Sequence, residues 1–338
     1  MMAFPTRKLA GVDVSAIGFG AMGLGGVAYG PGGTDEQRFE LLDAAYAAGC
    51  TMWDTADIYG DSEEILGKWF KKTGKRGEIF LATKFGFTFG ADRLVNGTPE
   101  YARQALEKSL SQLGLDSVDL YYLHRADATV PIEHTVRAMT EFVKEGKVKY
   151  LGLSEVSAAT LRRAHAVHPI AAVQVEYSPF TLDIEDPKIA LLEACRELGV
   201  AVIAYSPIGR GLLSGQIRSP DDLPADDFRR QVPRYNATNF PNILKIADGL
   251  AEIGKKYNAT ASQAALAWLL HQGPDVIPIP GTTKRKYLEE NLGAAKVKLS
   301  NEDVAAIRKL AIEADAQQGE RYTPGMTETM FVNTPPDV

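Results

Sequence analysis

The chain has 338 residues, and its composition of 45% hydrophobic and 24% charged side chains is that of an ordinary globular protein. Its 43 acidic residues outnumber its 37 basic ones, and the net charge of −6 argues against nucleic acid as a partner. The sequence has no apolar run long enough to cross a membrane and no signal-peptide pattern at its N-terminus, and its two cysteines, Cys50 and Cys195, cannot form a disulfide framework. These features predict a cytoplasmic enzyme with no membrane partner.

Short apolar runs that are typical of buried parallel strands alternate along the chain with segments of helical periodicity. The predicted strands span residues 16–20, 52–53, 79–83, 118–123, 148–153, 172–175, 200–205 and 276–279. The predicted helices span residues 36–48, 98–114, 132–144, 157–166, 188–198, 242–256, 262–271 and 300–313. Eight β/α units favour a closed (β/α)8 barrel over an open sheet. We expect a single domain over residues 1–338, with a barrel core of about 7–313 and a C-terminal tail at 314–338.

A glycine-rich segment near the N-terminus imitates a dinucleotide-binding motif. Residues 18–23 match G-x-G-x-x-G, but the glycine-rich residues that follow cannot form the helix that a Rossmann site requires. A long irregular segment, 206–240, follows the seventh predicted strand and therefore belongs to the carboxyl-terminal face of the barrel. A loop of this length inside a compact domain is usually functional.

Four residues that can carry acid–base chemistry lie at or near the ends of predicted strands. Asp54 follows the second strand, and Tyr59 lies in the loop after it. Lys84 and His124 end the third and fourth strands. The carboxyl ends of barrel strands are where barrel enzymes carry their catalytic groups. Each residue also has a structural interpretation, as an Asp54–Lys84 ion pair, a loop aromatic or a buried histidine, but their joint occurrence favours a catalytic site.

Taken in order, these motifs resemble those of the aldo-keto reductase superfamily. Residues 54–60, DTADIYG, match its D-T-A-x-x-Y-G motif, and the Thr-Lys at 83–84 and the Leu-His at 123–124 match the next two signatures. The remaining matches lie at 152–155, 174, 205–211, 279–284 and 290–291. The Gly-Thr-Thr-Lys at the cofactor-phosphate loop is similar to that of the microbial and plant branch. The resemblance implies a (β/α)8 TIM barrel whose bottom is closed by an N-terminal β-hairpin at residues 7–14.

The resemblance also implies a reaction, the NADPH-dependent reduction of an aldehyde or ketone to an alcohol by hydride transfer. Tyr59 is then the proton donor. Lys84, held by Asp54, is expected to lower the tyrosine pKa, which is near 10 in a free side chain. His124 is expected to donate a hydrogen bond to the oxygen of the small-molecule carbonyl substrate.

Cofactor contacts follow from the same resemblance. The implied cofactor-binding residues are Gly20, Ala21, Met22, Asp54, Ser154, Gln174, Tyr205, Ser206, Pro207, Ile208, Arg210, Gly211, Gly281, Thr283, Lys284, Glu290 and Asn291. Among them, Ser154 and Gln174 are expected to bind the nicotinamide carboxamide, and Tyr205 is expected to stack on the nicotinamide ring.

The chain departs from many members of the superfamily at two cofactor positions. It has Glu155 where they have asparagine, so Glu155 is not expected to bind the carboxamide. It has Tyr287 where they have arginine, so Lys284 or Lys286 must supply the charge for a 2′-phosphate. We expect NADPH in preference to NADH.

A second interpretation comes from another class of protein. Regulatory subunits that resemble the potassium-channel β subunits share this fold, bind the cofactor and keep the catalytic residues. The chain shows no long N-terminal extension, which favours the enzyme. No metal site is expected, because His165 and His168 have no further ligands nearby in the sequence. The sequence does not distinguish a monomer from a homo-oligomer.

Overall fold

The computed structural model describes residues 4–27, 30–88 and 93–337, so residue 338 of the predicted tail lies outside the described residues. The strands are β1 (Thr6–Leu9), β2 (Val12–Ser15), β3 (Phe19–Gly20), β4 (Met52–Asp54), β5 (Phe80–Phe85), β6 (Val118–Leu123), β7 (Val148–Ser154), β8 (Ile170–Glu176), β9 (Ala201–Tyr205) and β10 (Val276–Pro278). The helices are α1 (Asp35–Ala47), α2 (Ser62–Thr73), α3 (Pro99–Leu113), α4 (Ile132–Lys144), α5 (Ala158–Val167), α6 (Leu191–Leu198), α7 (Phe240–Lys255), α8 (Ala261–Leu270), α9 (Arg285–Gly293) and α10 (Asn301–Glu313).

Within the described residues, eight parallel strands form one sheet in which each strand from β3 to β10 pairs with the next one along the chain. The first and last strands also meet. Gly18 N donates to Pro278 O at 2.9 Å, and Gly20 N donates to Pro280 O at 3.2 Å. The sheet is therefore closed, and the predicted (β/α)8 barrel is confirmed.

The N-terminal hairpin closes the lower end of the barrel, as predicted. Strands β1 and β2 pair antiparallel, and Leu9 and Val14 belong to the same apolar cluster as the residues inside the barrel. Arg7 donates hydrogen bonds to the carbonyl oxygens of Leu270, Gly273 and Val276, where α8 leads into β10. The guanidinium thus satisfies carbonyl groups that the end of a helix leaves without intrahelical partners.

Alternation along the strands sorts side chains between the barrel interior and the layer under the helices. Inside the barrel, Ala82 of β5 and Tyr122 of β6 pack in one apolar cluster, whereas Leu81 and Tyr121 belong to the outer layer. Gly152 of β7 makes room for the Tyr122 ring, since a Cβ at this glycine would lie 2.4 Å from a ring carbon. This packed interior is the floor beneath the carboxyl ends of the strands.

Three helices differ from the sequence predictions, and the predicted helices do not include α9, over Arg285–Gly293. Helix α2 is missing from the predicted helices, although its buried Ile65, Leu66 and Trp69 recur at helical spacing. Helix α6 begins at Leu191 and not at residue 188, because Ala190 adopts a left-handed conformation with φ of 49°. None of the described helices is both long and apolar enough to span a membrane.

The C-terminal tail packs along the carboxyl-terminal rim of the barrel. Val332 forms a parallel bridge with Val156, just after β7. Beyond it, the Thr334 hydroxyl accepts a hydrogen bond from Ile132 N, and Thr334 O accepts one from Arg163. The aperiodic tail is thus held by contacts with α4 and α5.

Replacing Gly152 with alanine is expected to destabilise the barrel without changing its surface. The added methyl group would overlap the fully buried Tyr122 ring, and overpacking of this kind costs about 1–3 kcal/mol. Gly77→Ala is the matched control, because a Cβ there meets no atom within 4 Å. Urea unfolding of the two variants measures the difference, and equal free energies of unfolding would contradict this account of the packing.

Candidate active site

The predicted catalytic residues meet at the carboxyl end of the barrel. Asp54 is the last residue of β4, Lys84 lies near the end of β5, and His124 directly follows β6. Each lies two residues beyond a side chain of the interior apolar cluster, so strand alternation places it in the layer above that cluster. Gln174 of β8 belongs to the same layer, as it follows Ala172 in this way.

Asp54 and Lys84 form a fully enclosed ion pair. Lys84 Nζ lies 2.5 Å from Asp54 Oδ1 and donates a second hydrogen bond to Thr55 O at 2.6 Å. The other carboxylate oxygen of Asp54 accepts a hydrogen bond from Gln174 Nε2 at 2.8 Å. Burial raises the pKa of Asp54, and the Lys84 ammonium opposes that change. Burial also works against the charge of Lys84, but Asp54 and Tyr59 outweigh it, so the pKa of Lys84 is raised.

Tyr59 lies against this pair, in the loop that follows Asp54. Its hydroxyl is 3.5 Å from Lys84 Nζ, which also lies 4.7 Å from the centre of the phenol ring. Burial raises the pKa of Tyr59, and Lys84 acts in the opposite direction without cancelling the effect. Lys84 therefore acts on the tyrosine pKa in the predicted direction, while burial acts against it, and the pKa is raised. Tyr59 is a protonated phenol at neutral pH.

His124 faces the phenol from the neighbouring strand. The two rings are edge to face with centroids 5.8 Å apart, and Phe87 packs against the other side of the imidazole at 4.9 Å. Burial, together with the positive charges of Lys84 and Arg125, holds the pKa of His124 well below its usual value. The imidazole is therefore neutral at neutral pH and keeps one N–H donor.

The seam between β3 and β10 brings two groups of predicted cofactor residues together. Gly20 pairs with Gly281, and a Cβ at Gly281 would lie 2.7 Å from Gly20 O, so no larger residue fits there. Ala21 N donates to Asp54 O at 2.8 Å, which places this segment beside the predicted catalytic residues. Met22 continues it as the first residue of a short 3-10 turn.

A cationic loop, residues 284–286, extends outward from the same seam and runs into the start of α9. Lys284 and Lys286 are exposed, and neither forms an ion pair within residues 4–27, 30–88 and 93–337, whereas Arg285 between them pairs with Glu289 at 2.8 Å. The other predicted members of this region are Thr283, which is exposed, Asn291, which is buried, and Glu290, which accepts a hydrogen bond from Thr260 at 2.7 Å.

Ser154 and Gln174 lie opposite each other on β7 and β8. Tyr205 ends β9, and its hydroxyl donates to Glu155 Oε1 at 2.7 Å and lies 3.1 Å from the hydroxyl of Tyr322. Glu155 itself is fully buried, with φ of 51°. Its carboxylate is occupied by protein groups, which agrees with the expectation that it does not bind the carboxamide.

The segment after β9 turns sharply over the rim. Ser206 and Arg210 both adopt left-handed conformations, and Pro207, Ile208 and Gly211 lie in the turns between and after them. The guanidinium of Arg210 is directed into the protein, where it donates to Glu176 Oε2 at 3.0 Å. Farther along, Gln216 Oε1 accepts a hydrogen bond from Tyr287 OH at 3.1 Å. The long loop therefore reaches across to α9, the helix whose first residues carry part of the cationic loop.

A buried ion cluster at the rim has no counterpart in the sequence predictions. Arg321 of the tail donates to Glu155 at 3.1 and 3.3 Å and lies 3.6 Å from Glu176 and 3.0 Å from Asp183. Arg321 is only 2% exposed. No sequence signal could have found it, because it lies in an aperiodic segment and its partners come from distant strands. The cluster ties the tail to the ends of β7 and β8.

Comparison with known proteins agrees with this geometry. A sequence model of the aldo/keto reductase family matches residues 16–312. The chain belongs to the aldo-keto reductase family. It is 60% identical over 318 residues to the aldo-keto reductase str7 of Strobilurus tenacellus, which covers 93% of this chain and 94% of that protein. It is 49% identical over 340 residues to the aldo-keto reductase yakc [NADP(+)] of Schizosaccharomyces pombe, with 99% of each chain covered.

Solved structures give the same result. A thermostable aldo-keto reductase, Tm1743, solved with the inhibitor epalrestat, superposes with a TM-score of 0.74 at 32% identity, over 91% of this chain and all of that one. The glycerol dehydrogenase AKR11B4 of Gluconobacter oxydans gives a TM-score of 0.83 at 26% identity, over 94% of this chain and 98% of that one. This aldo-keto reductase is thus an oxidoreductase, as predicted.

Replacing Lys84 with methionine is expected to destabilise this aldo-keto reductase by about 3–5 kcal/mol, because it leaves the Asp54 carboxylate buried without its cation. The pKa of Asp54 then lies farther above its unfolded value, so the loss of stability grows as the pH rises and shrinks as Asp54 becomes protonated. Adding Asp54→Asn should recover part of the loss. Urea unfolding over a range of pH, with the exposed Lys68→Met as control, measures both effects; a loss independent of pH would contradict the pairing.

Proposed function

We propose that this aldo-keto reductase reduces aldehydes or ketones to alcohols with NADPH, and that Tyr59 is the proton donor. The observation that carries the proposal is the placement of the Tyr59 hydroxyl, 3.5 Å from a buried ammonium and edge to face with a neutral imidazole. A protonated phenol, a cation and a neutral donor at one point suit an oxygen that gains negative charge during reaction.

The residues present fit a dinucleotide. Within the described chain, the Ser154 hydroxyl hydrogen has no acceptor and Gln174 Oε1 accepts no hydrogen bond, so both are available to a carboxamide. At the Gly20–Gly281 contact two backbone segments meet with no side chain between them, as is common where a ligand approaches the backbone closely. The cationic loop then offers Lys284 and Lys286 to phosphate.

The protein's side chains orient the substrate and transfer the proton. When bound, the reduced nicotinamide supplies a hydride to the carbonyl carbon. His124 donates a hydrogen bond to the carbonyl oxygen, which orients the substrate and stabilises the charge that develops there. Tyr59 gives its hydroxyl proton to that oxygen, and Lys84 stabilises the phenolate that is left. Asp54 holds the ammonium in place throughout.

The preference for NADPH over NADH is part of the proposal. Two exposed lysines without ion-pair partners among the described residues suit the extra 2′-phosphate, and the name of the fission-yeast relative includes NADP(+). The alternative of a channel-type regulatory subunit is not favoured, since these relatives and solved structures are named as reductases or a dehydrogenase.

Tyr59→Phe tests the proton donor. The substitution removes one oxygen and little volume, so we expect unchanged affinity for NADPH and a loss of turnover of roughly 10²–10⁴-fold. Tyr46→Phe, which removes a hydroxyl bonded to Glu78 on the outside of the barrel, serves as the control. NADPH oxidation against a panel of aromatic aldehydes, aliphatic aldehydes and quinones supplies the rates. Near wild-type turnover by Tyr59→Phe on its best carbonyl substrate would refute the assignment.

The double variant Lys284→Ala/Lys286→Ala tests the cofactor preference. Each lost charge-assisted contact with the 2′-phosphate is worth about 1.5–3 kcal/mol, so NADPH binding should weaken by at least about tenfold while NADH binding changes little. Arg285→Ala is a control on the same loop, because its guanidinium is already engaged by Glu289. Titration calorimetry gives the dissociation constants, and equal weakening for both cofactors would sink the assignment.

A further inference from the structure

Arg125 lies between the two residues that would hold the reacting partners. It directly follows His124, and its Nη1 donates to His124 O at 2.7 Å and to Ser154 Oγ at 3.1 Å. A guanidinium Nη carries two hydrogens, so these two bonds use both of them. The side chain is buried, with its Cζ 5.2 Å from the centre of the Phe87 ring. One nitrogen therefore links β6 to β7 at the level of the catalytic residues.

Among the described residues, the Arg125 guanidinium is held by hydrogen bonds and not by an ion pair. No carboxylate forms an ion pair with it in residues 4–27, 30–88 and 93–337, and within the same residues its Nε has no hydrogen-bond partner. Burial works against its charge, but the influence of Tyr205 and of the Glu155 carboxylate outweighs burial, so the pKa of Arg125 is raised. The two bonds from Nη1 direct attention to its effect on Ser154.

The bond from Arg125 makes the Ser154 hydroxyl a donor toward a ligand. A hydroxyl that accepts from a guanidinium must direct its own hydrogen elsewhere, and the described chain has no acceptor for it. Gln174, opposite Ser154 on β8, offers an acceptor instead. Its Nε2 donates to the Asp54 carboxylate, which can only accept, so its Oε1 remains an acceptor. One free donor and one free acceptor thus stand on paired positions of adjacent strands.

A primary carboxamide matches that pair, since it offers one oxygen acceptor and an N–H donor on neighbouring atoms. Glu155 cannot contribute a third contact. Its carboxylate accepts hydrogen bonds from Arg321, from Tyr205 OH and from Glu176 N. A carboxamide at this point is oriented by two groups. Arg125 makes Ser154 the donor, and Asp54 leaves Gln174 Oε1 as the acceptor.

We propose that Arg125 is a positioning residue for the cofactor: by donating to Ser154 it directs the Ser154 hydroxyl to the nicotinamide carboxamide oxygen, while Gln174 accepts from the carboxamide nitrogen. The inference rests on the proposed function. Because the same Nη1 holds the backbone of His124, Arg125 also couples the residue that orients the substrate carbonyl to the residue that orients the nicotinamide. Arg125 thus acts through these two residues.

Calorimetric titration of four proteins tests the proposal: wild type, Arg125→Met, Ser154→Ala and the double variant. The two ligands are NADPH and 2′-phospho-ADP-ribose, which has every part of NADPH except the nicotinamide. We expect each single variant to bind NADPH about tenfold more weakly, as for the loss of one hydrogen bond, and to bind 2′-phospho-ADP-ribose like wild type. The double variant should bind NADPH no more weakly than Ser154→Ala. Arg103→Met is the control, since Arg103 also stacks on a phenylalanine, Phe142, but lies on the outside of the barrel.

Each other outcome overturns the inference in a recognisable way. Equal weakening of both ligands by Arg125→Met would show a general disturbance of the barrel. Additive losses in the double variant would show that Arg125 does not act through Ser154. Unchanged NADPH binding by Arg125→Met would remove the role altogether and leave the proposed function standing. A wild-type protein that binds neither ligand would overturn the proposed function as well.

Discussion

The burial of the Lys84 ammonium is the constraint around which the catalytic end of this barrel is built. An ammonium enclosed by protein needs an opposite charge and acceptors for its hydrogens, since its desolvation otherwise costs several kcal/mol. Asp54 and the carbonyl of Thr55 meet that need, and Gln174 fixes the second oxygen of Asp54. These groups come from three strands and one loop, so their register must be set before the charge can be enclosed. The same loop continues to Tyr59, and this is why the phenol lies beside the ammonium.

A second group of buried charges completes the opposite part of the rim. Its members are the carboxylates Glu155, Glu176 and Asp183 and the guanidiniums Arg210 and Arg321. The long loop after β9 and the C-terminal tail are thereby fastened to the strand ends by ion pairs and not by apolar contact alone. Gln174 donates a hydrogen bond to Asp54 in the first group, and Ser154 directly precedes Glu155 in the second. The two free polar groups of the site are thus held from both sides by rigid charge networks.

The convergence of the proposed catalytic residues was predictable from the sequence because strand alternation is local. Asp54, Lys84 and His124 each lie two positions after an inward apolar residue, so the short apolar runs mark them directly. The ion cluster was not predictable. Arg321 acquires its role only by contact with distant strands, and its own neighbourhood shows no periodicity. The raised pKa of Tyr59 could not be predicted either, because the sequence shows the lysine but not how far the fold buries the phenol.

The position of Arg321 near the end of the chain has a consequence for biosynthesis. It neutralises Glu155, a residue 166 positions earlier, and β3 gains its second neighbour only when β10 is made. At a ribosomal rate of about 5–20 residues per second, the Glu155 carboxylate waits roughly ten to thirty seconds for its cation. The nascent barrel must therefore stay open, with unpaired strand edges, until translation is almost complete. Unpaired edges are the part of a sheet that pairs most readily with other chains, so aggregation competes with closure of the barrel during this interval.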